Sequence, residues 1–487
     1  MPWWALAILI FGINFTLWGT VGFIRLFNRE VLSRVHRRKP PSYPENVIAI
    51  RDDPAGRRAR QINLTVDDVA ILIPAHNEAA VIEDALRAIA QLVPLKNIHV
   101  ISDGSTDDTF EIALRAGARA LKTRSNVGKA GALQEAIHRF KLVERFPVVM
   151  LLDADTRVQP GYFKAALPLF DNLEIVAVAG CVRVDSRRML SPVGNLLVGH
   201  RMRIYAIGQR IVKFGQTSLR LNATPIVPGF ASIYRTAVLP QIDMNPPGLA
   251  IEDFNMTFEV YQQKLGKVGF TLGAVAVTQD PDKFHDYIKQ TKRWALGFWQ
   301  TVRRHPPRLN LFTAMLAISL IELVTSCLLL ILLPLVVLVL VVPDLAGGPV
   351  ATWPVFGSVH GFVATHMSLS RVLYGVGIPD LAMTLLVAGV ERRPRLLLAA
   401  PFLPLMRVLD AAIGLYAIPS AWLAKSTGRW TSPARHEAPA AAQQGHLEEE
   451  AAAAAITAMA TGFAPDWDPA NVGAGQTVEA GQTHASG

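Results

Sequence analysis

Between Val69 and Thr278, short apolar runs take turns with amphipathic helical stretches, and long apolar segments flank that region on both sides. Val148-Val149-Met150-Leu151-Leu152 is an unbroken apolar run that stops at Asp153-Ala154-Asp155. Such a run fits a strand buried on both faces, and open α/β sheets place ligands at the carboxyl ends of those strands. Val69 to Ile73 predicts a first strand, followed by Pro74-Ala75-His76-Asn77-Glu78 and a helix with Ile82, Leu86 and Ile89 on one face. Ile98 to Ile101 predicts a second strand that runs into Ser102-Asp103-Gly104-Ser105. The alternation predicts an α/β domain with a mainly parallel sheet over residues 65–283.

The flanking segments read differently. Residues 1–25 hold no charge before Arg25 and begin with Trp3 and Trp4, which predicts a transmembrane helix. A basic linker follows over 26–64, and positive charge on that side predicts a cytosolic α/β domain. Phe284 to Arg304 mixes basic residues with Trp294 and Trp299, the pattern of an amphipathic helix lying at a membrane surface within 284–310. Trp299 is expected to anchor at the interface. Residues 311–430 carry further apolar stretches: Leu311 to Val342, Val372 to Val390, and Leu396 to Ala424, the last either a span or a re-entrant segment. Arg407 and Asp410, three apart, are expected to pair on one helix face. Glu322 lies inside the longest run, so it either lines a path through the membrane or bonds a neighbouring helix. Residues 431–487 are Ala- and Gly-rich and predict a disordered tail.

Composition sharpens this picture. Of the 487 residues, 51% are hydrophobic and the mean hydropathy is +0.29, too apolar for an ordinary soluble enzyme and in favour of an integral membrane protein of the cell membrane. The net charge of +9 comes from basic residues flanking apolar segments, which points to anionic lipid as partner and not to nucleic acid. Only Cys181 and Cys327 occur, so no disulfide framework is legible.

Several polar clusters stand where strands end. Asp153 and Asp155 suit a hard cation such as Mg²⁺ or Mn²⁺, which takes one or two carboxylates plus phosphate oxygens; a solvated loop is the alternative. Asp103 suits a base or ribose, or else belongs to an N-cap cluster with Ser105, Thr106 and Asp107. Lys129, between Gly128 and Gly131 at a helix start, suits a diphosphate. Glu252-Asp253 opens a helix, either as acids favoured by its dipole or as a site for chemistry.

Taken in order, Pro-Ala-His-Asn-Glu, Ser-Asp-Gly-Ser, Asn-Val-Gly-Lys-Ala, Asp-Ala-Asp, Gly229-Phe230-Ala231-Ser232, Glu252-Asp253 and Gln290-Thr291-Lys292-Arg293-Trp294 form a series. It resembles the membrane-embedded family 2 glycosyltransferases, among them cellulose, chitin, hyaluronan and poly-N-acetylglucosamine synthases. The resemblance covers roughly residues 65–300 and implies a GT-A-like fold. It implies that Asn77, Glu78, Asp103, Lys129, Asp153 and Arg293 bind the donor, and that Asp155 holds the metal. It further implies that Gly229, Phe230, Gln290 and Trp294 meet the acceptor, and that Asp253 is the catalytic base. Ser102 and Ile251 depart from the family's usual Asp and Thr, which puts donor preference in doubt more than activity.

The activity implied is inverting, processive polymerisation of a β-linked polysaccharide from a UDP-sugar, UDP-N-acetylglucosamine ahead of UDP-glucose, with export of the product. Its partners would be the UDP-sugar, the growing glycan, membrane lipids, and an oligomeric copy or an accessory export protein. The alternatives are single glycosylation of a lipid, as by ceramide glucosyltransferases, and a catalytically idle membrane scaffold.

Overall fold

The computed structural model describes residues 2–35, 63–185, 191–346, 350 and 353–423; the expected tail and most of the basic linker lie outside them. The central sheet has eight strands in the order β3-β2-β1-β4-β7-β6-β8-β5. In chain order these are β1 (Val69–Ala75), β2 (Ile98–Ser102), β3 (Arg119–Lys122), β4 (Val148–Leu152), β5 (Arg157–Val158), β6 (Ile175–Val184), β7 (Ala231–Arg235) and β8 (Lys267–Thr278). The first four run parallel. Beyond β4 the sheet is mixed: β7 is antiparallel to β4 and β6, β8 is parallel to β6, and β5 is antiparallel to β8. The expected parallel sheet therefore holds for the half that carries the early motifs.

Side-chain alternation builds a core on each face. Val148, Met150 and Leu152 of β4 join one cluster with Val69, Ile71 and Ile73 of β1, while Val149 and Leu151 join the other with Ala70 and Leu72. On the first face lies the helix Ile82–Ala90, which buries Ile82, Leu86 and Ile89 as its spacing predicts. On the other lies Lys129–Arg139, through Ala132, Leu133, Ala136 and Ile137. Every residue of β4 is buried, so truncating Met150 to Ala would cost about 2–5 kcal/mol.

The membrane-type helices are α1 (Trp3–Phe11), α2 (Ile13–Val35), α3 (Leu311–Ala346), α4 (Leu369–Val390) and α5 (Leu396–Leu423). The last three are each long and apolar enough to cross a membrane. The segment 1–25, expected to span as one helix, forms two helices bent by 79° about Gly12, whose φ is +94°. The backbone groups freed at that break find partners. Asn14 donates both its backbone N–H and its Nδ2 to Glu322 Oε2 (2.7 and 2.9 Å), Ser326 donates to Leu9 O (2.8 Å), and Arg407 Nη2 to Ile10 O (3.2 Å). Glu322 thus bonds a neighbouring helix, the second of the two roles expected for it.

One long helix between β6 and β7 carries no expected motif. It runs from Pro192 to Ile207, continues through a π turn at Gly208–Lys213 and ends at Gln216. Polar contacts tie it to the membrane helices. Arg203 donates to both Asp380 oxygens (2.5 and 2.9 Å), Arg407 Nη1 meets Asp380 Oδ1 (2.9 Å), and Arg210 pairs with Glu391 (2.9 Å). The expected Arg407–Asp410 pair does not form. Asp410 takes the Tyr287 hydroxyl (2.7 Å) and faces His200 Nε2 (2.9 Å), while Arg407 is engaged by Asp380. Trp299, expected as an interfacial anchor, is buried against Ala417 and Ala421 of α5.

Candidate active site

The carboxyl ends of the parallel strands open into a cavity of about 520 Å³. Its polar lining comes from separate elements. Asp153 and Asp155 follow β4, Glu78 follows β1, and Lys129 starts the helix Lys129–Arg139. Glu252 and Asp253 start the helix Glu252–Gln262, while Gln290, Arg293 and Trp294 come from the helix Phe284–Arg304. The expected interfacial helix thus supplies one wall.

Lys129 is the electrostatic hinge of the site. Its Nζ lies 2.7 Å from Asp153 Oδ1 and 3.1 Å from Glu252 Oε1. Burial pulls its pKa down, but Asp153, Glu252 and Asp253 together outweigh burial and hold it well above the usual lysine range. Burial raises the Asp153 carboxyl, with Lys129 opposing. Burial also acts to raise Glu252, yet Lys129 and local hydrogen bonds leave it below its usual value. Asp253 goes the other way. Burial, then the charge of Glu252, lift it to about 8, against Lys129 and the Gly229 N–H. Two adjacent acids are thereby driven apart, one ionised and one able to exchange a proton near neutrality.

Gly229 explains itself locally. Its N–H donates to Asp253 Oδ2 at 2.8 Å, and a Cβ there would stand 2.5 Å from Asp253 Oδ1. Gly229 therefore positions the acid instead of lining the cavity, which the neighbouring Phe230 does. Asp103 and Asn77 also lie outside the lining. Asp103 is fully buried and accepts from Val127 N (2.8 Å), Gly128 N (2.9 Å) and Thr123 Oγ1 (2.9 Å), closing the loop that delivers Lys129. Asn77, at φ +54°, accepts from Thr106 N (2.9 Å) and steadies the adjoining turn.

The acid pair fits a hard divalent cation. Asp153 and Asp155 flank a small Ala154 and both face the cavity, Asp155 near the Thr156 and Thr278 hydroxyls (3.2 and 3.5 Å). Among the described residues no group of three or more His, Cys, Asp or Glu side chains is arranged to hold a metal, so an ion here would complete its shell from ligand oxygens and water.

Lys213 was not anticipated. It lines the cavity from the π turn, and burial pulls its ammonium down to about 8, opposed by Cys181 and Asp253. No periodic signal marks it. The extra residue of the turn lets Gln209 bond Val182 N and O (2.6 and 2.9 Å) while Lys213 still lines the cavity.

A mixed α/β sheet thus gathers an acid pair, a lysine bridge and a carboxylate raised to about 8 around one cavity. Residues 67–297 match the family described as glycosyltransferase like family 2, and the chain belongs to that family. It is 25% identical over 252 residues to the poly-beta-1,6-N-acetyl-D-glucosamine synthase of Staphylococcus epidermidis, an alignment covering 49% of this chain and 58% of that synthase. It is 34% identical over 166 residues to an uncharacterized protein of Methanocaldococcus jannaschii, covering 33% of this chain and 67% of that protein. Among solved structures, it is similar to a mannosyltransferase from Pyrobaculum calidifontis in complex with GDP-Man and Mn²⁺. The identity there is 16% and the TM-score 0.48, over 83% of this chain and 99% of that one. The aligned region spans less than two thirds of the length of the synthase.

Proposed function

We propose that the chain transfers a sugar from a UDP-sugar to an acceptor hydroxyl with inversion, and does so repeatedly to make a β-linked polysaccharide that leaves through the membrane. UDP-N-acetylglucosamine is the favoured donor, ahead of UDP-glucose. The observation that carries this reading is Asp253, a carboxylate raised to about 8 in the same cavity as Lys129, Asp153, Asp155 and Trp294.

In this reading Asp253 takes the proton of the acceptor hydroxyl as its oxygen bonds the anomeric carbon, and the bond from that carbon to the diphosphate oxygen breaks. Lys129 and Arg293 meet the departing diphosphate; Arg293 lines the cavity with no acid partner among the described residues. A Mg²⁺ or Mn²⁺, which Asp155 would hold beside the donor-binding Asp153, would supply positive charge to the leaving group. Trp294 offers a flat face to the acceptor sugar. Basic residues beside the apolar helices orient the α/β domain to the cytosol, with membrane lipid around the helices.

UDP release and product size, measured on the purified chain in nanodiscs with Mg²⁺ or Mn²⁺ and a panel of UDP-sugars, test this. Release from one donor with long product, abolished by Asp253→Asn, is expected. Short lipid-linked product would favour single transfer to a lipid. Nucleotide binding without turnover from any donor would favour a scaffold.

A further inference from the structure

We propose that Arg201 is a positioning residue for the acceptor: its guanidinium backs the indole of Trp294 and fixes the ring in the orientation it presents to the cavity. The proposal rests on Trp294 as the acceptor platform, as argued above.

Arg201 sits on the helix 192–207 and is only 4% exposed. Its Cζ lies 4.4 Å from the Tyr287 ring centroid and 4.5 Å from that of Trp294, so one cation contacts both rings. Its Nη2 donates to Thr291 Oγ1 at 2.6 Å and reaches Gln290 Oε1 at 3.5 Å. It therefore touches three residues of the Gln290–Trp294 segment. Trp294 and Gln290 line the cavity and Arg201 does not, which places the cation behind the ring.

The acids nearby are engaged elsewhere. Among the described residues no carboxylate lies within ion-pairing distance of Arg201, and its Nε is buried without a hydrogen-bond partner. Asp410 bonds Tyr287 and faces His200, and Asp280 takes the Tyr205 hydroxyl at 2.7 Å. A buried guanidinium held mainly by two ring faces is not explained as half of an ion pair. It is explained as the clamp of those rings. Asp410 of α5 orients Tyr287, Tyr287 and Thr291 orient Arg201, and Arg201 orients Trp294. A fixed indole spares the acceptor the entropy of ordering it, so the effect belongs in acceptor binding and not in donor binding.

The test uses the full chain in nanodiscs with UDP-N-acetylglucosamine as donor and β-linked N-acetylglucosamine oligosaccharides as acceptor. Arg201→Met is expected to raise the acceptor KM about tenfold while the donor KM changes less than threefold, and Arg201→Lys to fall between. In a Trp294→Phe background, Arg201→Met is expected to add less than threefold, because its effect runs through that ring. Equal rises in both KM values, or effects that multiply independently, would overturn the proposal. If Trp294→Phe itself leaves the acceptor KM unchanged, the platform reading fails; if it raises the KM and Arg201→Met does not, the clamp alone fails. A readout independent of turnover is ¹⁹F NMR of 5-fluorotryptophan at the nine tryptophans, with Trp294 assigned by its Phe variant. Arg201→Met should broaden or split the Trp294 resonance alone; an unchanged resonance in a folded variant sinks the clamp.

Discussion

At the scale of single residues, the site sets charge against burial. Asp253 is raised to about 8 in the folded chain, far above an unfolded aspartate. Between those two values the folded state binds the extra proton, so this group's contribution to stability is fully present below about pH 4 and is lost as pH rises through about 8. Asp253→Asn, which mimics the protonated acid, should therefore melt higher than wild type at pH 9 and match it near pH 4, read by thermal unfolding across pH. As a base, Asp253 must be ionised, so wild-type transfer should climb with pH through about 8; a flat profile from pH 6 to 9 would remove it from that role. Asp103 shows where reading residues falls short. A carboxylate followed by Gly and Ser after a strand is legible as a polar site, but its donors, Thr123, Val127 and Gly128, stand 20 to 25 positions ahead. Only the folded loop reveals that it shapes the path to Lys129. Asp103→Ala should leave Val127 N without its acceptor and Thr123 and Gly128 with Ser125 O and Asn126 Oδ1, cost about 1–3 kcal/mol and weaken nucleotide binding, measured by unfolding and by UDP titration.

At the scale of elements, what was legible followed periodicity, and what was not followed tertiary partners. The run Val148–Leu152 and the helix with Ile82, Leu86 and Ile89 fold as their patterns dictate, because burial on one or both faces leaves no other register. The helix 192–216 carries Arg201, Arg203, Arg210 and Lys213, charges that look solvated in a linear chain. The partners of the three arginines, Asp380, Glu391, Tyr287 and Trp294, lie between 86 and 181 residues further on, beyond the reach of any local spacing. The bend at Gly12 was likewise hidden, since an uncharged stretch reads as one span. Glu322 makes that bend tenable by accepting two Asn14 donors. Glu322→Gln keeps an acceptor and should lower stability by less than about 1 kcal/mol, whereas Glu322→Ala leaves the break uncapped and should cost about 1–3 kcal/mol. Thermal unfolding in nanodiscs separates them, and equal losses would show that charge rather than hydrogen bonding holds the bend.

At the scale of the whole molecule, the cavity and the membrane helices share the helix 192–216, which lines one with Tyr205, Gln209 and Lys213 and grips the other through Arg203. The grip is a three-member cluster in which Asp380, 3% exposed, accepts from both Arg203 and Arg407. Two guanidiniums around one carboxylate are tolerable only while the carboxylate is present. Asp380→Asn would leave like charges facing each other out of water, and the loss should be about 3–5 kcal/mol. Replacing all three together, as Arg203→Met, Asp380→Leu and Arg407→Met, removes the desolvation cost along with the attraction, so that stability should return to within about 1–2 kcal/mol of wild type. The comparison tells what the cluster is for. If the triple variant regains its melting temperature but transfers sugar poorly, the charges fix the geometry of the cavity wall rather than the energy of the fold. If it regains both, apolar packing holds the helix 192–216 against the membrane helices, and the ion cluster contributes neither geometry nor stability.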